Sequence, residues 1–414
     1  MSDTHQRARG NEEEQETRGN SNFAAVESKL ALASFIRFPS ILDYLGSFLG
    51  KKNPLALPAN PAQHKVWLFD NTAYQASDRG QTWESEVVVC IFVKHRREGL
   101  GKYVAIIADL VGLDGEMGMD DDRAMRERIA ERVQPFVDAV APAKIVSLNI
   151  PLPHEGVLKR RLDPSDRNGI VSQVVSVGEG HVADGTVMKP TLRHWPHHVS
   201  MDTEFVGPEG WMIISDLDDT IKYTQTSDPI GILRSTFIDE PVPIAGMPQL
   251  YNHAHRQLNP AWFYLSASPY NLFPFLRTFL RSCYPPGTLI LRDNSWMDLG
   301  GLLKSFTQGT QAYKVNRLEK LHSWLPKRKI ILIGDSTQSD PEAYAEMYHK
   351  QKKWIRAIFI RRVTDVAHME DKNKPERFEK AFEGVSSKVW MVFDRPEELY
   401  QRIDELKQRY SERY

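Results

Sequence analysis

Two aspartates, Asp216 and Asp218, follow directly after the apolar run at residues 211–215. Because alternate side chains of an extended chain point to the same side, this spacing places both carboxylates together at the end of a predicted strand. One carboxylate can then attack an electrophile while the other transfers a proton. By itself the pattern also fits a polar turn after a strand. Residues further along the chain favour the chemical interpretation.

Three later segments contain the groups that a phosphoryl-transfer site needs besides these acids. They are a hydroxyl at the end of a second apolar run, a lysine at the predicted start of an amphipathic helix, and two acids after a third apolar run. In chain order these residues are Ser266, Lys314, Asp335 and Asp340. Transfer of a phosphoryl group depends on positive charge and hydrogen-bond donors around its oxygens, so the set indicates this reaction class.

The order of these segments, DxDxT, a strand-terminal Ser, Lys and GDxxxxD, resembles the four signature motifs of the haloacid dehalogenase superfamily of aspartate-nucleophile phosphatases. Within that superfamily, residues 214–224, 265–272 and 332–342 resemble the actin-patch-associated phosphatidate phosphatases of fungi. The resemblance covers residues 205–400. It implies an enzyme that hydrolyses phosphatidate, a phospholipid at the membrane surface, to diacylglycerol and phosphate.

The resemblance also implies a role for each residue of the site. Asp216 would be the nucleophile that forms an aspartyl phosphate, and Asp218 would act as the acid and then as the base. Lys314 would neutralise Asp216 and the phosphoryl oxygens. Two residues would belong to the substrate-binding site. Ser266 would donate a hydrogen bond to a phosphoryl oxygen, and Thr220 would fix the turn after the strand.

The cofactor implied by the resemblance is Mg²⁺, a hard cation that prefers oxygen ligands. Its site would consist of the Asp216 carboxylate, the backbone carbonyl of Asp218 and the Asp335 carboxylate. Asp340 would complete the site by orienting the water ligands of the ion.

The substrate class depends on what covers the site. The gaps at residues 221–261 and 268–313 are too short for a large cap domain, and an uncapped site is open to membrane-embedded phosphates. Two alternatives stay open, a phosphatase for a soluble or protein phosphomonoester and a non-catalytic adaptor between membranes and cortical actin. Clustered acids favour an enzyme over the adaptor. The resemblance implies cortical actin and endocytic proteins as partners.

Composition bounds the other function classes. A formal net charge of −1 provides no field for capturing nucleic acid. The two cysteines, Cys90 and Cys283, lie beside bulky apolar or aromatic residues and are interpreted as reduced thiols, which disfavours a secreted protein. The first twenty residues lack the apolar core of a signal peptide. We expect a cytoplasmic protein with peripheral membrane association, in cortical actin patches if the resemblance holds.

The predicted fold class is α/β. From residue 211 onward, short apolar strands alternate with helical patterns, which predicts a mostly parallel sheet covered on both faces. With the resemblance, this becomes a doubly wound, haloacid-dehalogenase-like domain without a large cap, preceded by a β-rich, sandwich-like domain. The predicted parts are a disordered tail (1–22), an apolar helical segment and linker (23–62), the β-rich accessory domain (63–205) and the phosphatase domain (206–414).

The apolar segment at residues 23–50 is interrupted by charges and a proline, which argues against a bilayer span. It is predicted to be either a helix on the membrane surface or a broken helix packed on its own domain.

Overall fold

A computed structural model describes residues 12, 14–31, 56–76, 81–94, 100–113, 119–152, 156–195, 199–293 and 299–411. Within these ranges, none of the helices combines the length and the apolar character that a membrane crossing requires. Of the apolar segment at residues 23–50, the part after residue 31 lies outside the described residues. Cys90 and Cys283 are free thiols, in agreement with the sequence analysis.

The described residues form strands and helices throughout. In chain order the strands are β1 (Leu57–Pro58), β2 (His64–Leu68), β3 (Asn71–Gln75), β4 (Thr82–Val93), β5 (Lys144–Ile145), β6 (Ser147–Pro151), β7 (Val157–Arg161), β8 (Ile170–Glu179), β9 (Thr186–Met188), β10 (Thr191–Leu192), β11 (Thr203–Val206), β12 (Trp211–Asp216), β13 (Ala261–Pro269), β14 (Thr288–Arg292), β15 (Lys329–Asp335), β16 (Ile355–Arg361) and β17 (Trp390–Phe393). The helices are α1 (Phe23–Ala31), α2 (Leu100–Leu110), α3 (Met119–Val137), α4 (Pro229–Phe237), α5 (Met247–Leu258), α6 (Phe273–Cys283), α7 (Leu299–Thr307), α8 (Thr310–Trp324), α9 (Asp340–Lys350), α10 (Pro375–Ala381) and α11 (Glu398–Ser411).

The second half of the chain is built on a six-stranded sheet with the order β14-β13-β12-β15-β16-β17. Every pairing in it is parallel. The chain moves outward from β12 to β14, returns to the other side of β12 at β15, and continues outward to β17. Such a reversal leaves a crevice at the carboxyl ends of the two central strands, where open α/β sheets bind ligands. The predicted α/β class with a parallel sheet is confirmed, and the haloacid-dehalogenase-like arrangement stays a prediction.

The central strand β12 is buried along its whole length because helices cover both faces of the sheet. Trp211 and Ile213 point into one apolar core, which includes residues of α1 to α7 and α11. Met212 and Ile214 point into the other, which includes residues of α8, α9 and α10. This alternation fixes the register of the strand, so that its last residue, Asp216, reaches the crevice.

The described residues between 56 and 206 are mainly strands. One sheet has the order β2-β4-β3-β11-β9 with β8 on β4, and β10-β6-β7 form another. Their sandwich-like packing as a separate domain stays a prediction. Residues 104–113, an apolar run inside the predicted β-rich domain, lie largely in helix α2.

Upstream helices share the core of the second half. Phe136 of α3 packs edge-on against Phe237 of α4, with ring centroids 5.7 Å apart. The aromatic ring of Phe69 stacks on Phe273 of α6 at 3.8 Å. Near this stack, Arg277 donates two hydrogen bonds of 2.6 Å to the Asp70 carboxylate. The two halves therefore meet through apolar and ionic contacts.

The prediction that residues 1–22 form a disordered tail is wrong for residues 14–22, which the structure describes. Residues 14–20 are helical, and helix α1 follows directly. Arg18 donates two hydrogen bonds of 2.8 Å to the Glu27 carboxylate. Phe23, Val26 and Leu30, which share one face of α1, are buried. The polar composition predicted disorder, but this apolar face anchors the segment and its polar side chains find partners.

Candidate active site

The candidate nucleophile, Asp216, is the last residue of β12 and only 2% exposed. The ammonium of Lys314 lies 2.8 Å from Asp216 Oδ1 and also contacts Asp340 Oδ1. Burial by itself lowers the pKa of Lys314, but the charges of the nearby carboxylates, Asp216 first, raise it above its usual value. Lys314 therefore stays charged, and one ammonium is shared by two carboxylates. The sequence placed Lys314 at a helix start, whereas α8 begins at Thr310, before it.

The second acid pair lies where β15 ends and α9 begins. Asp335 is the last residue of β15, and its backbone N–H donates a hydrogen bond of 3.1 Å to Asp340 Oδ2. Thr220 donates to Asp335 Oδ2 at 2.7 Å, and its hydroxyl lies 3.2 Å from Asp216 Oδ2. A side chain at Gly334 would clash with the Asp340 carboxylate, so only glycine allows this close approach. The loop thus brings both acids to the crevice beside Asp216.

One carboxylate oxygen from each of Asp216, Asp335 and Asp340 lies within 4.8 Å of the others, and all three residues are buried. Burial and the neighbouring acids raise the pKa of Asp216, although Lys314 opposes the rise. Burial likewise raises the pKa of Asp340 to about 6. Three acids around one ammonium leave an excess of negative charge, and hard oxygen donors suit a divalent cation such as Mg²⁺. The acidic cluster therefore fits a metal ion.

The Asp340 carboxylate, like those of Asp216 and Asp335, has a partner at each of its oxygens. Lys314 contacts Oδ1 and the N–H of Asp335 occupies Oδ2. The role implied for Asp340, to orient the water ligands of a metal ion, stays a prediction.

The Asp218 carboxylate lies outside the cluster and is surrounded by hydroxyl groups. Ser266 donates to Asp218 Oδ2 at 2.6 Å and Ser268 donates to the same oxygen at 3.2 Å. Thr224 donates to Oδ1 at 2.9 Å. In this structure the hydroxyl hydrogen of Ser266 is therefore directed at Asp218, while the predicted role of Ser266 towards a phosphoryl oxygen stays a prediction. Sequence reasoning missed Ser268 and Thr224, although Ser268 repeats the two-residue spacing after Ser266.

Asp219 has a different task from its neighbours. Its backbone adopts a left-handed φ of 61°, which turns the chain away from the strand direction. Its carboxylate accepts hydrogen bonds from the backbone N–H groups of Thr224, Gln225 and Thr226, at 2.9, 2.7 and 2.7 Å. Asp219 therefore holds the loop that delivers Thr224 to Asp218.

A second buried lysine, Lys222, was also missed by the sequence analysis. Its ammonium donates to Thr224 Oγ1 at 2.9 Å and lies 4.0 Å from Asp218 Oδ1. Burial lowers the pKa of Lys222, and the charge of Asp218 opposes this. Nothing in the apolar periodicity marks this lysine, because its partners are set by the loop and not by a strand or a helix.

The site is closed in this structure, so the expectation of an open site is wrong for this conformation. Asp216 is 2% exposed and Asp218 3%, while Lys314 and Asp335 are fully buried. Upstream helices also contact this half of the chain, since Arg128 of α3 donates to the carbonyl of Ile238, at the end of α4, at 2.9 Å.

Comparison with known proteins agrees with this geometry. Residues 211–362 match the family described as phosphatidate phosphatase APP1, catalytic domain. The chain is 32% identical over 169 residues to phosphatidate phosphatase APP1 of Saccharomyces cerevisiae, covering 40% of this chain and 28% of that protein. It is 31% identical over 159 residues to an uncharacterized protein of Schizosaccharomyces pombe, covering 37% of this chain and 25% of that protein.

The chain thus aligns with about a quarter of the length of these curated relatives. The acidic cluster, Lys314 and Asp218 with its hydroxyl partners all lie inside the matched range. Residues 211–362 of this chain are therefore similar to the catalytic domain of the phosphatidate phosphatase APP1 family.

Proposed function

We propose that this chain is a Mg²⁺-dependent phosphatidate phosphatase, which hydrolyses phosphatidate to diacylglycerol and phosphate. The observation that carries the proposal is the contact of Lys314 with both Asp216 and Asp340 beside Asp335. It places a charged, fixed cation against a carboxylate at the end of a central strand. The family match over the same residues supports the reaction class.

In the first step, Asp216 attacks phosphorus in line, so that a bond from its carboxylate oxygen forms as the bond to the diacylglycerol oxygen breaks. A phosphate dianion repels an anionic nucleophile, and the uncatalysed reaction is extremely slow. Lys314 reduces this repulsion because its charge lies 2.8 Å from Asp216 Oδ1. Thr220, at 3.2 Å from Oδ2, helps to orient the carboxylate.

Asp218 handles the proton in both steps. It gives a proton to the departing oxygen of diacylglycerol, and it takes one back from the water that hydrolyses the aspartyl phosphate. The hydroxyls of Ser266, Ser268 and Thr224 fix the position of its carboxylate. In the substrate complex, Ser266 donates a hydrogen bond to a phosphoryl oxygen in this proposal. Its hydroxyl must then turn away from Asp218.

The acidic cluster is proposed to hold Mg²⁺ through Asp216, Asp335 and the backbone carbonyl of Asp218, with Asp340 behind them. The bound ion would supply positive charge that lowers the repulsion between phosphate and carboxylate. The excess of negative charge around Lys314 supports this assignment.

The lipid substrate rests on similarity. The relative from Saccharomyces cerevisiae is named a phosphatidate phosphatase, and the matched domain carries the same description. With this substrate the protein would act at a membrane surface in the cytoplasm, near cortical actin and endocytic proteins.

The deciding experiment is Mg²⁺-dependent phosphate release by the purified protein from phosphatidate in detergent micelles. A soluble phosphomonoester is assayed in parallel, with Asp216→Asn as the control. Lipid turnover that the substitution abolishes supports the nucleophile and the substrate class. Turnover of the soluble ester alone keeps the mechanism and rejects the lipid, and no turnover of either substrate rejects the proposed function.

A further inference from the structure

Residues 14–31, here named the N-terminal strap, lie along loops at the carboxyl edge of the parallel sheet. Ser21 donates to the carbonyl of Ser227 at 2.8 Å, in the segment that follows Asp219. Arg18 donates to Thr307 Oγ1 at 2.8 Å, near the end of α7. The strap therefore touches two of the connections that surround the candidate active site.

Glu14 makes the contact that lies nearest to the chemistry. Its carboxylate accepts hydrogen bonds of 2.7 Å from the backbone N–H groups of Gly309 and Thr310, and one of 2.8 Å from Thr310 Oγ1. These groups form the amino end of α8, the helix that carries Lys314. A helix amino end favours a negative charge, because its first N–H groups have no partner within the helix.

A chain of hydrogen bonds leads from Glu14 to Ser339, the residue before Asp340. Thr310 Oγ1 lies 2.7 Å from Ser339 Oγ, and Ser339 immediately precedes Asp340. Since Thr310 donates its hydrogen to Glu14, Ser339 donates to Thr310. Two hydroxyl groups, those of Thr310 and Ser339, thus lie between the Glu14 carboxylate and Asp340. The Asp340 carboxylate in turn contacts Lys314.

Little space is left beneath the strap. The cavity bounded by Glu14, Thr17, Thr226, Thr337 and Ser339 has a volume of about 10 Å³. No residue of the acidic cluster lines this cavity, but Thr337, which does, donates its backbone N–H to Asp335 Oδ1 at 2.6 Å, so the cavity lies next to the cluster. A single water needs about 10–15 Å³ of such volume, so a phosphate ester does not fit there. A second cavity, where the strap meets Ser227 and Lys372, is equally small.

The two parts of the strap are held differently. In α1, Phe23, Val26 and Leu30 are buried in the apolar core. Before α1, the contacts of Glu14 and Arg18 are polar, and polar contacts near a surface are individually weak. Residues 14–20 can therefore detach while α1 stays in place, since local opening breaks mainly polar contacts, among them those of Glu14, the pair of Arg18 with Glu27 and the packing of buried Thr17.

We propose that the N-terminal strap is autoinhibitory: Glu14 closes the path by which a phosphate ester reaches Asp216, and residues 14–20 lift away before substrate binds. This inference rests on the proposed function, because it assigns a regulation to the same site. A closed state that competes with substrate raises KM by the inverse of the open fraction and leaves kcat unchanged.

Glu14→Gln tests the strap, with Glu12→Gln as the matched control, since Glu12 is an exposed glutamate two residues before Glu14. Both changes remove one carboxylate charge. We expect Glu14→Gln to lower KM for micellar phosphatidate about three- to tenfold at an unchanged kcat, since it weakens charge-assisted hydrogen bonds. Glu12→Gln is expected to behave like the unaltered protein. Arg18→Gln, which removes the bond to Thr307, is a second variant with the same expected direction.

Hydrogen–deuterium exchange provides a readout that needs no substrate. The backbone N–H groups of Gly309 and Thr310 donate hydrogen bonds to Glu14. Glu14→Gln should therefore speed the exchange of these two amides and leave the exchange of the other α8 amides unchanged. Slow exchange of both amides in Glu14→Gln would overturn the contact. Fast exchange with a KM equal to that of Glu12→Gln would overturn the autoinhibition and leave the proposed function intact.

If neither variant nor the unaltered protein hydrolyses phosphatidate, the proposed function is rejected. The role of the strap is then tested by measuring ligand binding. Orthovanadate, titrated with Mg²⁺ in a calorimeter, then replaces the substrate. Tighter binding by Glu14→Gln than by Glu12→Gln supports the autoinhibitory role of the strap. Equal affinities of the two variants, or no binding by either, overturn it. Thermal melts of both variants show whether they are folded.

Discussion

Asp216 and Asp218 are two residues apart in the chain and both are buried, yet their surroundings differ. Asp216 lies against the ammonium of Lys314, 2.8 Å away, and two further acids. Asp218 is held by three hydroxyl groups, and its nearest ammonium among the described residues, that of Lys222, lies 4.0 Å away. A charged environment suits a nucleophile that must stay ionised near a cation, and hydroxyl partners suit a group that gains and loses a proton. The chemical difference between identical residues thus comes from what the neighbouring strands and loops bring to each.

The largest effect is expected from Asp216→Asn, which keeps the size of the side chain and removes the nucleophile. Phosphate release from phosphatidate should fall by about 1,000-fold or more, since no aspartyl phosphate can form. Asp218→Asn is the partner measurement, because it should slow turnover while still permitting attack by Asp216. Activity of Asp216→Asn within tenfold of the unaltered protein would remove the distinction between the two acids.

Lys314→Met should have the next largest effect, since it leaves the acidic cluster without its ammonium. We expect the free energy of unfolding to fall by about 3 kcal/mol without Mg²⁺, as when one partner of a buried ion pair is removed. Urea unfolding with and without Mg²⁺ measures this, and Lys222→Met is the matched control beside Asp218. Equal losses in the two variants would contradict a special role of the cation beside Asp216.

Glu204, away from the acidic cluster, tests whether burial raises the pKa of an acid in this protein. Burial, with help from Asp184, raises the pKa of Glu204 to about 7 from a usual value near 4.5. The folded protein then binds a proton that the unfolded chain has lost, so stability should fall by about 2 kcal/mol as the pH rises through this window. Urea unfolding at pH 5 and pH 8 should show a smaller fall in Glu204→Gln. An identical fall in both proteins would contradict the shift.

Ser268→Ala should have the smallest effect, because two other hydroxyls still hold Asp218. Removal of one such hydrogen bond should slow phosphate release about tenfold. The Mg²⁺ concentration for half-maximal activity should not change, since Ser268 contacts no member of the acidic cluster among the described residues. A shift in the Mg²⁺ requirement would show that the two neighbourhoods are not separate.

The sequence predicted the central sheet well because parallel strands, buried on both faces, are continuous apolar runs. The apolar run at 211–215, for example, lacks only the last residue of β12. Helix α2 was missed, since a short apolar run does not distinguish a helix from a strand by its period.

The four acids and Lys314 were found because each follows an apolar run or lies in a spaced motif. Thr224, Lys222 and Glu14 were missed for a common reason. Their partners are distant in the chain or belong to an irregular loop, so no periodicity in the sequence announces them. The closure of the site by upstream residues is likewise a long-range feature that local patterns do not encode.

The apolar core shared between upstream helices and the parallel sheet has a consequence for how the protein can be divided. Phe23, Ile129 and Phe136 belong to the same core as Ile213 and Phe237. A fragment beginning at residue 206 would expose this face to water and tend to aggregate. The catalytic half and its upstream partner should therefore melt as one cooperative unit, and truncation at a boundary drawn from motif similarity alone would cut through a core.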